Sequence, residues 1–374
     1  MFSMKKVTLS ELTRSMFVPV VLGLAGGIVG ALIIESYFTS LSAALNEPLQ
    51  IGRPTASSSA QIPQADLADR LRRVNVPLYA RRATSAGAEL AERSRGVSEA
   101  IGYATVLTSD GWLATSASVA STPVSVAVGG KLLDPKTQIA DPRTGLVFLK
   151  VEATALPVSA FEETDALRAG SPLYALDEAG LFAATSFAGT FPIDRKALVP
   201  SLQNSDRFGH AFRVSRVMSL RASGGAVLAT DGNLAGILLP DKAGAASFVP
   251  MHLIRPVLAQ VFRGRVPARA QLGVSYLSLE DVAVSEGGFG AVKGERLTGS
   301  RALGIPAVRS GSAAAKAGLQ EGDVLLRADG VDLLSGRDLA EVIAEAEIGS
   351  KIRFDVLKDG AERSVEVTLD GEKR

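Results

Sequence analysis

From about residue 97 to residue 255 the chain is written in short apolar runs, each closed by turn residues, and almost nowhere does a helical repeat last long enough to make a helix. Tyr103-Ala-Thr-Val-Leu107 and Trp112-Leu-Ala-Thr115 flank Asp110-Gly111, the signature of a hairpin. Val124–Val128 ends at Gly129-Gly130, and Leu146–Val151, Phe212–Leu220, Gly225–Leu228 and Leu234–Leu239 continue the series. Many short strands with so little helix predict an all-β barrel or sandwich, closed by a helical segment near His252–Phe262.

The flanking segments differ. From Ser15 to Ile34 there are 20 residues without a charge, close to the length that crosses a hydrocarbon layer. Lys5, Lys6 and Arg14 precede this run and the next basic residue is Arg53, which predicts a cytoplasmic amino end and an extracytoplasmic bulk. Two readings stand for it, a membrane anchor over residues 15–35 and a cleaved signal peptide with small residues at Ser40, Ser42 and Ala44. Residues 36–64 carry Pro48, Gly52, Pro54, Ser57-Ser-Ser59 and Pro63, the composition of a tether. Leu67, Leu71 and Val74 then mark a short amphipathic helix ahead of Pro77.

Beyond residue 265 the texture changes again. Leu272–Tyr276, Ile305–Val308, Asp323–Ala328, Lys351–Leu357 and Ser364–Leu369 read as strands, and Ser312–Leu319 as a short helix stopped by Gly318. Leu339, Val342, Ile343 and Ala346 line one face of a helix over about residues 336–347. Together these predict a small α+β domain.

Charge and composition remove whole classes of chemistry. Forty Lys and Arg against 39 Asp and Glu leave a formal charge of +1, so nothing recruits nucleic acid. The chain contains no cysteine, which excludes disulfides, thiolate nucleophiles, Cys-ligated zinc and iron–sulfur clusters. The two histidines, His210 and His252, are too few for a His-rich metal site, and no cofactor or metal is expected. Any mechanism needing an imidazole base must use one of them, and His210 reads as a loop residue.

Five stretches carry a resemblance: Asp110-Gly-Trp-Leu-Ala-Thr-Ser-Ala-Ser-Val119, Asp141-Pro-Arg-Thr-Gly-Leu-Val-Phe-Leu-Lys-Val151, Ala222-Ser-Gly-Gly225, Phe248-Val-Pro-Met-His-Leu-Ile-Arg-Pro-Val-Leu258 and Ser310-Gly-Ser-Ala-Ala-Ala-Lys-Ala-Gly-Leu-Gln-Glu-Gly-Asp323. In this order they make residues 97–262 resemble the chymotrypsin-fold protease domain of the HtrA/Deg serine proteases, and residues 268–370 the PDZ domain that follows it there. The resemblance implies a mainly β fold, a chymotrypsin-like double β-barrel followed by an α+β PDZ domain, preceded here by a transmembrane helix. The expected organisation is a cytoplasmic residue 1–14 segment, an anchor at 15–35, a linker at 36–64, a trypsin-like domain at 65–265 and a PDZ domain at 266–374.

The family mechanism needs a serine, a histidine to take its proton and a carboxylate to hold the imidazole. Matching the family's motifs puts Ser118 at the histidine position, Gly145 at the aspartate position and Ser223 at the nucleophile position, with Arg221 where a glycine shapes the oxyanion hole. Loss of the serine or histidine from such a triad costs about a millionfold in rate. The expectation is therefore a chain that is not an enzyme: an anchored pseudoprotease acting as scaffold, adaptor or chaperone-like binder. The alternatives are a serine endopeptidase with a non-standard base, and an inactive subunit regulating an active relative. The PDZ resemblance implies that Leu272, Gly273 and Val274 receive the carboxyl terminus of a peptide, which adds as a strand beside Val274–Leu277. The HtrA/Deg resemblance implies trimers, and a homotrimer or a hetero-oligomer with an active relative is the expected assembly.

Overall fold

The computed structural model describes residues 62–372 apart from 83–88, 163–166, 194–198, 200, 242–244, 281, 283–292 and 334–337. The expected cytoplasmic segment, the anchor at 15–35 and nearly all of the linker lie outside the described residues, among which no helix is long and apolar enough to cross a membrane.

Helix α1 (Gln64–Val74) turns Leu67, Leu71 and Val74 inward, as their spacing predicts, and runs straight into strand β1 (Asn75–Ala80). Six strands follow: β2 (Gly102–Val106), β3 (Trp112–Ser116), β4 (Val124–Val128), β5 (Lys131–Leu133), β6 (Thr137–Asp141) and β7 (Leu146–Lys150). They form one antiparallel sheet in the order β5-β4-β1-β2-β3-β7-β6. The Asp110-Gly111 hairpin joins β2 to β3, with Thr105 opposite Ala114.

Next come β8 (Pro172–Leu176), β9 (Phe182–Pro192), β10 (Gln203–Asn204), β11 (His210–Val214), β12 (Ala226–Leu228), β13 (Leu234–Pro240) and β14 (Ala246–Pro250). All but β10 close a barrel in the order β11-β14-β13-β12-β8-β9. Helix α2 (Met251–Phe262) packs Met251, Leu253, Ile254, Val257, Leu258 and Val261 into the core shared by this barrel and α1.

The last domain contains β15 (Ala270–Gln271), β16 (Ser275–Ser278), β17 (Glu295–Leu297), helix α3 (Ala313–Lys316), β18 (Val324–Ala328), β19 (Val331–Asp332), helix α4 (Leu339–Glu345), β20 (Lys351–Lys358), β21 (Ala361–Thr368) and β22 (Asp370–Gly371). Its sheet runs β10-β16-β17-β18-β20-β21, with β19 on β18, so a strand from the barrel region forms the edge of the domain that follows. Its own core gathers Tyr276, Phe354, Leu339, Ile343 and Val356.

Four details depart from the sequence reading. Ile305–Val308 is not a strand but makes isolated bridges at Ile305 and Val308, since Pro306 between them has no N–H for a ladder. The run Phe212–Leu220 stops at Val214, where the pairing with β9 shifts register, and ends in a 3-10 turn over Leu220–Ala222. His210 opens β11 rather than lying in a loop, paired opposite Pro192. Leu272–Val274 forms a loop before β16, because Gly273 takes a φ of +83° that a strand does not.

Candidate functional site

The segment Ser219–Gly225 is held between the two barrel-region sheets. The Ser223 carbonyl accepts from Tyr103 N–H at 2.9 Å, while Gly224 N–H donates to Leu238 of β13 at 2.9 Å. The Thr105 hydroxyl donates to the Gly224 carbonyl at 2.9 Å, and Asn75 Oδ1 accepts from Ala226 N–H at 2.7 Å. Ser223 is 1% exposed, and its Oγ has no hydrogen-bond partner among the described residues. The neighbouring amides are occupied within the turn: Arg221 N–H donates to Ser219 Oγ at 3.1 Å and Ser223 N–H to the Leu220 carbonyl at 3.1 Å. For these amides to receive an oxyanion the 3-10 turn has to open. The exposed Arg221 side chain donates to the Ser98 carbonyl at 3.3 Å.

Ser118 follows Ala117, whose backbone meets Gly145. Ala117 N–H donates to the Gly145 carbonyl at 2.8 Å, joining the end of β3 to the start of β7. Ser118 is exposed, with its Oγ 2.8 Å from Ser116 Oγ. Gly145 has a φ of +71°, and a Cβ there would meet only Leu239 Cδ1, at 4.0 Å. The two imidazoles point elsewhere. His210 Nδ1 is 3.0 Å from Asp338 Oδ2, and His252 Nε2 is 3.9 Å from Glu345 Oε1, so both meet carboxylates of the last domain.

Two clusters bring in long-range partners, Arg269 in one and Asp206 and Arg309 in the other, that had no recognisable signal in the sequence. Asp141, at the end of β6, and Arg269, just before β15, form an ion pair at 2.6 Å with both side chains almost fully buried. The other surrounds Leu272–Val274. Leu272 N–H and Gly273 N–H both donate to Asp206 Oδ1, at 2.9 and 3.1 Å, and Arg309 Nη2 stands 3.1 Å from Asp206 Oδ2. A Cβ on Gly273 would overlap Ser312, so only glycine lets these amides converge. Chemically the loop is a carboxylate seat, with paired amides and a guanidinium. The PDZ resemblance pointed to Leu272, Gly273 and Val274 but not to Asp206, which is 66 residues away in sequence. Among the described residues no cluster of three or more His, Asp or Glu could hold a metal.

Tyr276, beside this loop, has its hydroxyl within 3.3 Å of Ala340 N–H, which donates to it. Burial pushes its phenol well above the usual range, and the Asp338 and Glu295 carboxylates push the same way. A folded-state pKa above the unfolded one means stability is fully present below the ordinary tyrosine value and is lost as pH rises past it. We expect stability to fall above about pH 10, and the Tyr276→Phe variant to show a shallower alkaline decline in chemical denaturation. An unchanged slope would show that this phenol is not responsible.

Comparison with known proteins gives a consistent picture. Residues 270–369 match the PDZ domain family. Over 287 residues the chain is 25% identical to the probable periplasmic serine endoprotease DegP-like of Marinomonas sp. (strain MWYL1), covering 74% of this chain and 58% of that protein. Periplasmic serine endoprotease DegP of Escherichia coli (strain K12) is 24% identical over 284 residues, covering 72% of this chain and 57% of that protein. The chain thus spans under three fifths of the length of these relatives. Among solved structures, HtrA-type protease AlgW with tripeptide covers 84% of this chain and 98% of its own, with a TM-score of 0.57 at 21% identity. HtrA-type protease AlgW with decapeptide gives 0.54 at 20% identity, covering 84% of this chain and 100% of its own. The resemblance to HtrA/DegP serine proteases with a PDZ domain therefore holds, and the fold is the mainly β, trypsin-like HtrA fold followed by a PDZ domain. The expectation that the chain is not an enzyme is corrected by these findings, since the relatives it matches are named serine endoproteases.

Proposed function

We propose that this chain is an HtrA-like envelope factor that captures carboxyl-terminal or extended peptides of other proteins through residues 266–374, as an adaptor or chaperone-like binder. The observation that carries this reading is the carboxylate seat: the Leu272 and Gly273 amides turned onto one carboxylate oxygen, with Arg309 beside the other. A peptide ending there would continue as a strand along Val274–Leu277, gaining main-chain hydrogen bonds whatever its side chains. Attachment to a membrane through residues 15–35, an extracytoplasmic place for the bulk, and assembly with further copies or with an endoprotease relative belong to the same proposal.

A second reading, hydrolysis at Ser223, is favoured by the names of the relatives and by the serine kept in a Ser-Gly-Gly turn. One experiment addresses both. Fluorescent decapeptides with free or amidated carboxyl ends are titrated into the full chain, and the mixtures are followed by mass spectrometry. We expect free-acid peptides to bind at least about tenfold tighter than amidated ones, the loss of a charge-assisted contact. Equal affinities would overturn the peptide-capture reading. Cleavage abolished in Ser223→Ala would assign hydrolysis to that serine.

A further inference from the structure

The carboxylate seat is already filled, and by the chain itself. Gln203 and Asn204 of β10 pair antiparallel with Tyr276 and Ser275, covering the edge of β16 that faces away from β17. Ser205 N–H then donates to the Val274 carbonyl at 3.0 Å, and Val274 N–H donates to Ser205 Oγ at 3.1 Å. Asp206 ends the run, its side chain accepting both loop amides and meeting Arg309. The direction matters. The segment runs antiparallel to β16 and finishes at the loop, as an added peptide ending in a carboxylate would, and the Asp206 side chain supplies the carboxylate that an internal segment lacks.

We infer that Gln203–Asp206 is a built-in occupant of the peptide groove, which an incoming carboxyl terminus must displace. This inference rests on the peptide-capture reading above for what replaces the occupant. Two features set how firmly it holds. Being part of the same chain, the segment competes at the high effective concentration of an intramolecular ligand. Its fit is imperfect: Gln203 Oε1 is buried without a hydrogen-bond partner among the described residues, and an orphaned acceptor weakens the closed form. If the groove is open only about 1–10% of the time, peptides bind about 10- to 100-fold more weakly than the bare site allows. The groove then answers only to ligands that are abundant or that make better strand partners than Gln203-Asn204-Ser205. The same stretch is tied a second time downstream, where His210 meets Asp338, the residue whose side chain caps α4. Displacement of residues 203–206 thus begins next to a strand of the closed barrel.

The test uses the full chain and its Asp206→Ala variant. Amide hydrogen exchange at Leu272, Gly273 and Val274 reads occupancy with no ligand present. Binding is read with a fluorescein-labelled synthetic peptide of residues 199–206 and with a pool of random decapeptides bearing free carboxyl ends. We expect slow exchange of these amides in the unmodified chain, at least about tenfold faster exchange in Asp206→Ala, and at least about tenfold tighter peptide binding by the variant. Asp206→Asn, which keeps the shape and loses the charge, should fall between the two and guards against misfolding of the alanine variant. Faster exchange with no peptide bound would leave the built-in occupant standing and remove the peptide-capture reading. Unchanged exchange and unchanged affinity in both variants would overturn the inference.

Discussion

Asp141→Ala is expected to destabilise the folded chain by about 3–5 kcal/mol, the cost of leaving a buried charge without its partner. The Asp141 carboxylate lies 2.6 Å from Arg269 Nη2, and the two side chains are 3% and 2% exposed. The same carboxylate accepts from Arg143 N–H at 3.1 Å and from the Thr144 hydroxyl at 2.9 Å, which shapes the turn leading to Gly145. Arg269 donates from Nη1 to the Leu253 carbonyl at 2.7 Å and lies over the Phe208 ring at 5.5 Å, but its Nε already lacks a partner among the described residues. A guanidinium keeps its charge, so with Asp141 gone it has one carbonyl and one ring face to set against its lost hydration. Because the pair joins β6 to the residue before β15, the loss also loosens the last domain from the first sheet. Chemical denaturation measures it. Replacing both partners, Asp141→Leu with Arg269→Met, should recover most of the loss, as apolar pairs of similar volume often do. A single-variant cost below about 1 kcal/mol, the range of exposed pairs, would show that the pair is not sealed from water.

What could be read from the sequence was local. The helix over α1 followed from three apolar side chains on one face, and the Asp110-Gly111 turn announced its own hairpin. The helix over Ala313–Lys316 carries its start and stop in sequence, with Ser312 accepting from Ala315 N–H and Gly318 at a φ of +80°. What escaped was long-range and polar. Asp206 sits 66 residues from Leu272, and Asp141 is 128 from Arg269. Such pairs leave no periodicity, because Asp206 and Arg269 are single charged residues outside the strands, Asp141 is the last residue of its strand, and Leu272 takes part only through its backbone amide. Strand edges failed for a different reason: apolar residues at 305–308 and 215–220 satisfy a strand pattern, but Pro306 and the register shift after Arg213 deny them a ladder.

Gly224→Ala is the second large effect expected, a loss of about 2–5 kcal/mol, from alanine in the left-handed region together with overpacking. Gly224 has a φ of +79°, and a Cβ there would overlap the Tyr103 carbonyl and the Thr115 hydroxyl and stand 3.0 Å from Thr115 Cα. None of these atoms can move freely. The Thr115 hydroxyl donates to the Tyr103 carbonyl at 2.7 Å, and Tyr103 and Thr115 belong to the paired strands β2 and β3. The added methyl therefore has to push the Ser223–Gly225 turn away from the first sheet, breaking the bonds from Tyr103 N–H and the Thr105 hydroxyl that close the seam. Gly145→Ala is the control. It has the same sign of φ, +71°, but nothing nearer than Leu239 Cδ1 at 4.0 Å, so only the backbone term of about 1–2 kcal/mol remains. The contrast separates two reasons for glycine at the matched positions. At Gly224 the sheets press on the turn whatever chemistry Ser223 performs, and a Gly224→Ala variant as stable as Gly145→Ala would mean the turn yields without parting the sheets.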